Sequence, residues 1–339
     1  MRLGVLDVGS NTVHLLVVDA HRGAQPTPMT SQKDVLRLAE HIDTSGALTR
    51  TGISALVAAV ARAAAAAEDA RCDELLAFAT SAIRDATNAD EVLNLVRAET
   101  GIDLRVLPGE AEASYTFLAV RRWYGWSAGR LAVIDVGGGS LELAAGRDEQ
   151  PLVAISLPLG AGRLTRERFT SDPPPRSEVE SLAAELETAL RPFAERIRQA
   201  GEPDLVVGTS KTIRSLARLA DAAVASSGSR TPRILTEPAL RRLMAFISRM
   251  SSTDLAELDG VSPSRAHQLV AGAVVVHAAM RALNVTQLQI CPWALREGVI
   301  LRRLDLLNGV EPTARSDRSA QETPVTLGPL TSYEARCSG

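Results

Sequence analysis

The chain has 339 residues, of which 45% are hydrophobic and 23% charged, so it is long enough for two ordinary domains and can bury a sizeable core. Its formal net charge of −3 argues against a general nucleic-acid binder, which would be clearly basic, but leaves room for a local basic site. The three cysteines and five histidines show no spacing typical of a disulfide framework or a metal knuckle.

The N-terminus lacks the long apolar core of a signal peptide. Nor does the chain contain a charge-free stretch of about 18 apolar residues, as a membrane span would require. We therefore expect a cytoplasmic protein that binds neither membranes nor nucleic acids.

Strands and helices alternate in the N-terminal part of the chain. The apolar runs Leu3–Leu6 and Val13–Val18 flank a glycine-containing turn and predict a hairpin. An alanine-rich stretch then favours helix, since alanine has the highest helix propensity. The elements predicted after the hairpin are a helix at Gly52–Ala70, a buried strand at Leu75–Ala79, a helix at Asp90–Thr100 ending at Gly101, a strand at Leu104–Leu107 and a helix at Glu110–Arg122.

The pattern restarts near residue 130, where the apolar runs Leu131–Ile134 and Leu141–Ala145 flank a glycine-rich turn. Ser177-Glu178-Val179-Glu180 has the spacing of a capping box and predicts the start of a helix that runs to about Gln199. The later predicted elements are a strand at Leu205–Val207, helices at about Pro238–Met250 and at Pro263–Leu283 with Ser262 as N-cap, a strand at Leu288–Cys291 and a helix at Leu295–Leu307.

This alternation predicts an α/β fold. We expect one domain over residues 1–125 and a second over 126–292, with the helix of about 293–307 available to pack on the first. From about Glu311 the composition turns to threonine, serine, proline and glycine, which predicts a disordered tail over 311–339.

The chain contains an internal repeat. Asp7-Val8-Gly9-Ser10-Asn11-Thr12 matches Asp135-Val136-Gly137-Gly138-Gly139-Ser140 at an offset of 128 residues. In each copy an apolar strand reaches an aspartate, crosses a turn and continues as a second strand. The repeat indicates a duplicated domain, and we expect the two matching loops to face each other across a cleft.

The two loops are candidate phosphate sites. Glycine and small residues let backbone N–H groups approach an oxyanion closely, and hydroxyl and amide side chains add donors. Either loop alone could be an ordinary hairpin turn, but the occurrence of two such loops, each preceded by an aspartate, favours phosphate binding. The candidate phosphate-binding residues in these loops are Gly9, Ser10, Asn11, Gly137, Gly138, Gly139 and Ser140.

Aspartate beside a phosphate site repels the anion unless a cation lies between them. Mg²⁺ prefers oxygen ligands and bridges one or two carboxylates to substrate phosphates. Asp135 and Glu142, with Asp7 as a third candidate, fit that pattern. The alternative is that each aspartate caps its own turn.

Two further segments carry candidate cations. In Gly208-Thr209-Ser210-Lys211-Thr212, a turn follows a strand and opens a helix, where free N–H groups attract an anion. Ser210 and Lys211 are therefore candidates, although Lys211 could equally be a solvated surface residue. Arg84, at the end of Ala79-Thr80-Ser81-Ala82-Ile83-Arg84, follows a buried strand and could clamp a phosphate.

Gly109-Glu110-Ala111-Glu112-Ala113 opens a helix with two carboxylates two positions apart. Their side chains point about 200° apart, so at most one can face a binding site. Spacing alone favours the plainer interpretation, a helix start that is acidic because the helix dipole favours it.

Together with Ala294-Leu295-Arg296-Glu297-Gly298, these motifs resemble the exopolyphosphatase / guanosine pentaphosphate phosphohydrolase family, from Leu3 to about Leu304. That family lies within the actin–sugar kinase–heat-shock ATPase superfamily. The resemblance implies two ribonuclease-H-like domains around an interdomain cleft, often in a homodimer. It also implies release of terminal phosphate from inorganic polyphosphate, or of the 5′-phosphate of guanosine pentaphosphate, with Mg²⁺ or Mn²⁺. Glu112 falls where the family keeps the base that activates water, whereas Glu110 falls on a variable position.

Three departures from the family pattern bear on the substrate. Lys211 stands where many members have glycine, which leaves less room for a nucleotide base and favours an inorganic chain. The chain matches the short two-domain form, for which we expect short polyphosphates as substrates. Trp293 replaces a smaller residue without a functional explanation.

The alternatives are a guanosine pentaphosphate hydrolase, an ATP-dependent kinase or ATPase, and a non-catalytic sensor of polyphosphate or of guanosine penta- and tetraphosphate, the nucleotides of the stringent response.

Overall fold

The computed structural model describes residues 1–21, 23, 25–222, 234–307 and 309. The predicted tail at 311–339 lies outside the described residues. The described chain forms two compact units, one of Met1–Ala111 with the described residues from Leu295 onward, and one of Glu112–Ala294.

The first unit is a five-stranded mixed sheet with helices. Its sheet has the order β3-β2-β1-β4-β5, in which β1, β2 and β3 are antiparallel while β1, β4 and β5 are parallel. The elements in chain order are β1 (Arg2–Val8), β2 (Thr12–Asp19), β3 (Pro28–Val35), α1 (Arg50–Asp69), β4 (Glu74–Ala79), α2 (Ser81–Arg84), α3 (Ala89–Thr100), β5 (Arg105–Val106) and the start of α4 (Gly109–Tyr124).

The second unit repeats this plan with one strand more. Its sheet has the order β8-β7-β6-β9-β11-β10, again with three antiparallel strands followed by two parallel ones. The elements are β6 (Leu131–Val136), β7 (Leu141–Gly146), β8 (Val153–Leu157), α5 (Ala161–Arg168), α6 (Arg176–Gln199), β9 (Leu205–Gly208), α7 (Lys211–Ala222), β10 (Ile234–Thr236), α8 (Glu237–Ile247), α9 (Ser252–Ala256), α10 (Leu269–Ala282) and β11 (Gln287–Ile290); α11 (Leu295–Leu307) then belongs to the first unit.

The predicted repeat is confirmed at the level of register. Val8 pairs with Val13 in the first unit and Val136 with Leu141 in the second, so each hairpin has a four-residue connection. The N–H of the first loop residue donates to the carbonyl of the fourth at 2.9 Å in both copies. The two matching segments therefore form hairpins of the same register.

The division between the units falls within α4, earlier than the expected domain boundary at residue 125. The reason is packing. Ala113, Phe117 and Val120 of α4 are buried in one cluster with Leu131 and Val133 of the second sheet. The helix thus begins at the first unit and is covered, for most of its length, by the core of the second.

One helix of the described residues, α1, is long and apolar enough to span a membrane by length and composition. Ile53, Leu56 and Val60 of α1 are buried against the first sheet, as they would be in a core helix.

The predicted capping box at Ser177 is wrong. Ser177 is no N-cap, because α6 already begins at Arg176 and the carboxylate of Glu178 instead accepts hydrogen bonds from the backbone N–H and hydroxyl of Thr170. Ser262 is the N-cap residue of a helix that begins at Pro263, as predicted, but its hydroxyl lies 3.0 Å from that of Ser264 and makes no capping hydrogen bond. The single helix expected at Pro263–Leu283 is a 3₁₀ helix, Pro263–Gln268, followed by α10.

A buried ion pair joins α11 to the first sheet. The Arg303 guanidinium donates to the Glu74 carboxylate at 2.9 Å, and the side chain of Glu74 is only 5% exposed. Removing one partner of such a pair leaves a buried charge without compensation.

Replacing Arg303 by Met should therefore lower the free energy of unfolding by about 3 kcal/mol. Thermal and urea unfolding would measure the loss, and Arg302→Met is the matched control, because Arg302 has no ion pair among the residues the structure describes. Adding Glu74→Gln to Arg303→Met should recover part of the stability. Equal losses in the two arginine variants would contradict the assignment.

Candidate active site

Two carboxylates form a cross-strand pair at the second glycine loop. Asp135 on β6 lies directly opposite Glu142 on β7, so both side chains project from the same face of the sheet. Ser156 on β8 continues the row, and its hydroxyl donates to Glu142 Oε1 at 2.8 Å. The hairpin register that the repeat specifies thus brings the two predicted metal ligands together.

Asp135 is held by the turn after β9. Its Oδ2 accepts hydrogen bonds from the Thr209 hydroxyl and, at 3.2 Å, from the Ser210 N–H. Burial raises the pKa of the Asp135 carboxyl, while these two hydrogen bonds and the nearby positive charges of Arg214 and Arg265 act in the opposite direction. The net result is a carboxylate that lacks full compensation for its charge.

Glu142 is the more strongly perturbed group. Burial, then the negative charges of Glu112 and Asp135, raise the pKa of the Glu142 carboxyl well above its usual range. Hydrogen bonds from Ser140 and Ser156 offset only part of this effect. Three carboxyl groups of the second unit therefore interact electrostatically.

The two acidic residues of α4 differ as their spacing predicts. Glu112 is half-buried and close enough to Glu142 to affect its ionisation, whereas Glu110 is exposed to solvent. One helix face therefore directs Glu112 toward the acidic pair, and Glu110 points away.

The second glycine loop has the geometry of an anion cradle. The carbonyls of Gly137 and Gly138 accept hydrogen bonds from Ala161 and Arg163 at the start of α5. The N–H groups of Gly138 and Gly139, in contrast, have no acceptor among the residues that the structure describes. Because α5 holds the carbonyl groups of the loop, the N–H groups of Gly138 and Gly139 remain as donors for an anionic ligand.

Gly160 makes this arrangement possible. A Cβ there would collide with the backbone of Gly139 and Ser140, so only glycine lets the chain before α5 approach the loop so closely. Sequence reasoning missed Gly160, although two glycines around one alanine in Gly160-Ala161-Gly162 were a signal of close backbone packing.

The first loop is anchored in a comparable way. The carbonyls of Ser10 and Asn11 accept hydrogen bonds from the segment after β3, and the Ser10 hydroxyl lies 2.9 Å from that of Ser81. Both residues are buried. The third strand of each meander thus leads into the segment that holds the loop's carbonyls.

Arg84 and Asp7 have partners within the first unit. Arg84 donates to the Leu107 carbonyl at 3.2 Å and lies 3.4 Å from the Asp85 carboxylate. Asp7 Oδ2 lies 4.0 Å from the Arg296 guanidinium of α11. Arg296 belongs to the Ala294–Gly298 family motif, but no role was predicted for it from the sequence.

The third predicted loop starts α7. Ser210 adopts a positive φ of 40°, and its hydroxyl accepts the N–H of Ile213, which makes it a capping residue. Arg214 donates to the Ser210 carbonyl at 3.2 Å and holds this unusual turn in place. Lys211 follows as the first residue of the helix.

The predicted site residues therefore fall into two groups. Asp7, Gly9, Ser10, Asn11 and Arg84 lie in the first unit; Glu112, Asp135, Gly137, Gly138, Gly139, Ser140, Glu142, Ser210 and Lys211 lie in the second. No sequence pattern predicted a role for Thr209 or Ser156, whose hydroxyls donate to Asp135 and Glu142. Ser156 could not have been found, since β8 was not predicted; Thr209 was within a quoted loop.

A divalent cation fits the acidic pair. The described residues contain no group of three histidine, cysteine, aspartate or glutamate side chains arranged to hold a metal. Mg²⁺, however, needs only one or two carboxylates, because it keeps several water ligands. Asp135 is half-buried and Glu142 is buried, and burial raises the pKa of both carboxyl groups, so a cation bound between them would stabilise their ionised forms.

Trp293, unexplained from the sequence, packs edge to face on Trp123 of α4 with ring centroids 5.2 Å apart. It also borders the cluster that buries Phe117 and Val120. Trp293 therefore packs against α4, the helix that carries Glu112.

Comparison with known proteins identifies the family. The Ppx/GppA phosphatase family matches residues 16–307. The chain belongs to this family. Exopolyphosphatase 1 of Mycobacterium tuberculosis is 57% identical over 325 residues, which cover 96% of this chain and 94% of that protein. Exopolyphosphatase 1 of Mycobacterium leprae is 56% identical over 323 residues, covering 95% of each.

Solved structures of the Ppx/GppA family confirm the predicted fold class. An exopolyphosphatase from Cytophaga hutchinsonii has a TM-score of 0.81 at 22% identity and covers 92% of this chain and 99% of its own. The Aquifex aeolicus member of the Ppx/GppA family has a TM-score of 0.76 at 26% identity, covering 91% and 99%. The α/β fold with two actin-like domains is therefore established.

The raised pKa of Glu142 predicts a pH-dependent stability of the metal-free protein. A carboxyl whose pKa is higher in the folded state stabilises the fold below its unfolded pKa of about 4.3, and this contribution is lost as the pH rises through the folded pKa. Glu142→Gln removes the buried charge. We therefore expect a higher Tm than wild type at pH 8, and a much smaller difference at pH 5.

Thermal unfolding in EDTA at the two pH values would test this expectation. Glu110→Gln is the control, because Glu110 is exposed and its variant should follow the wild type at both. A Glu142→Gln protein that is less stable than wild type at pH 8 would show that the carboxylate is well compensated.

Proposed function

We propose that this chain is an exopolyphosphatase, which hydrolyses the terminal phosphoanhydride bond of inorganic polyphosphate and releases orthophosphate. The relatives named Exopolyphosphatase 1 support this activity because they match nearly the full chain. The observation that carries the proposal is the position of half-buried Glu112 near Glu142 of the Asp135–Glu142 pair, in the same unit as a glycine loop whose Gly138 and Gly139 N–H groups have no acceptor among the described residues.

Asp135 and Glu142 would hold Mg²⁺ or Mn²⁺. When bound, the cation neutralises charge on the phosphoryl oxygens and so allows an anionic chain to approach two carboxylates. Thr209 and Ser156 keep the two side chains in place through their hydroxyls.

Each unit offers candidate donors for phosphoryl groups. In the second unit these are the N–H groups of Gly138 and Gly139, with Ser210 and Lys211 at the start of α7. In the first unit they are the loop of Gly9, Ser10 and Asn11, and the guanidinium of Arg84. Phosphoryl transfer depends mainly on such positioning and electrostatic stabilisation.

Glu112 would act as the general base. Its carboxylate accepts a proton from water, the water oxygen bonds to the terminal phosphorus, and the bond from that phosphorus to the bridging oxygen breaks. The products are orthophosphate and a chain shorter by one unit. Because Glu110 is exposed on the opposite side of the helix turn, it takes no part.

Several finer points remain predictions: a preference for short chains, the choice of Mg²⁺ over Mn²⁺, a homodimer and a cytoplasmic location. Lys211 favours an inorganic chain over guanosine pentaphosphate, because its side chain adds a cation and takes up space at the start of α7.

Replacing Glu112 by Gln should lower kcat by about 10²- to 10⁴-fold with little change in polyphosphate binding, since a general base typically contributes that much. Phosphate release from a defined short polyphosphate would measure it. Glu110→Gln, two residues earlier on the same helix, should keep wild-type turnover. Near wild-type activity of Glu112→Gln would disprove the base assignment.

Offered short polyphosphate, guanosine pentaphosphate and ATP at equal concentration with Mg²⁺, the protein should release phosphate mainly from polyphosphate. Release from guanosine pentaphosphate alone would favour the nucleotide hydrolase. Binding of polyphosphate without release from any substrate would instead indicate a sensor.

A further inference from the structure

The two copies of the repeat differ at one position that decides their chemistry. Asp7 lies opposite His14 on β1 and β2, as Asp135 lies opposite Glu142 on β6 and β7. The first unit therefore pairs a carboxylate with an imidazole where the second pairs two carboxylates. Mg²⁺ prefers oxygen ligands, so the first copy is the poorer metal site.

Arg296 occupies the space beside Asp7. Its Nη1 lies 4.0 Å from Asp7 Oδ2 and contacts His14 Nδ1. A permanent positive charge at this distance compensates the carboxylate and repels a divalent cation. Asp7 thus has the partner that the Asp135–Glu142 pair lacks.

The same contacts leave Arg296 with donors for a ligand. A guanidinium has five N–H donors in a fixed plane, and the described contacts engage Nη1. The side chain is 24% exposed, so part of it reaches solvent. Asp7 Oδ1 lies 3.9 Å from where a Cβ of Gly9 would stand, which places this ion pair next to the first loop.

We propose that Arg296 binds a phosphoryl group of the substrate at the first loop, and that Asp7 is its ion-pair partner and not a metal ligand. Guanidinium matches phosphate bidentately, which a lysine cannot do. The inference rests on the proposed function, since it takes a chain of phosphates as the ligand. It also replaces the expectation that Asp7 shares the metal of Asp135 and Glu142.

Binding of tripolyphosphate tests the role of Arg296. Calorimetry with the Glu112→Gln protein in the presence of Mg²⁺ avoids turnover and keeps the cation that the proposed site requires. Adding Arg296→Gln or Arg296→Lys should weaken binding by about tenfold or more, as expected for a lost charge-assisted pair. Adding Arg302→Gln, on the same helix, should change it by less than about twofold.

An unchanged affinity in the Arg296→Lys protein would overturn the proposal, because lysine keeps the charge beside Asp7 and the ion pair that joins α11 to β1. This variant decides the matter if Arg296→Gln does not fold. If the Glu112→Gln protein itself binds no tripolyphosphate, the proposed function fails instead, and the two failures are distinguishable.

Binding of Mn²⁺ alone, followed by electron paramagnetic resonance, tests the role of Asp7. Asp135→Asn should weaken Mn²⁺ binding by about tenfold or more, whereas Asp7→Asn should leave it within about twofold of wild type. Equal losses in the two variants would make Asp7 a ligand and overturn the assignment.

Discussion

The arrangement of the second unit depends on two carboxylates, half-buried Asp135 and buried Glu142, on one face of a hairpin. The two residues are opposite each other because the four-residue connection sets the register, and a shift of either strand by one residue would turn its carboxylate to the other face. Burial without a full complement of positive charge makes their ionised forms costly. A cation is the simplest compensation, and a site that recruits a cation can then accept a polyanion.

The surroundings of the pair follow from that constraint. Hydroxyls of Thr209 and Ser156 donate to the acids without adding charge, so they fix geometry and leave the electrostatic deficit for a metal. The start of α5 anchors the carbonyls of the glycine loop and turns its N–H groups outward. Glu112 enters from α4, whose packing on Leu131 and Val133 fixes its position relative to the pair.

Local patterns predicted much of this and failed where packing or polarity overrode them. The hairpins and the C-cap at Gly101 were predicted correctly because apolar strand residues and glycine are local signals, and the repeat was found by matching two short segments of the chain. Strand β3 was not, since its polar residues lie at an exposed sheet edge and show no apolar alternation. The predicted capping box at Ser177 was wrong because the Glu178 carboxylate accepts a hydrogen bond from the Thr170 N–H. No pattern in the sequence predicts that contact. The resemblance to the family favoured Glu112 over Glu110 as the base, and the structure distinguishes the two by burial, since Glu112 is half-buried and Glu110 is exposed.

The duplication explains how one fold could come to hold both a cation and an anion. Both copies keep the aspartate and the first glycine of the loop, but the residue at the facing strand position, Glu142 in one and His14 in the other, alters the local charge. Where two carboxylates face each other, the local charge is more negative and a divalent cation fits. Where it is replaced, one arginine compensates the aspartate and still has donors to offer. A difference at one pair of facing positions is thus enough to give two hairpins of the same register opposite local charge.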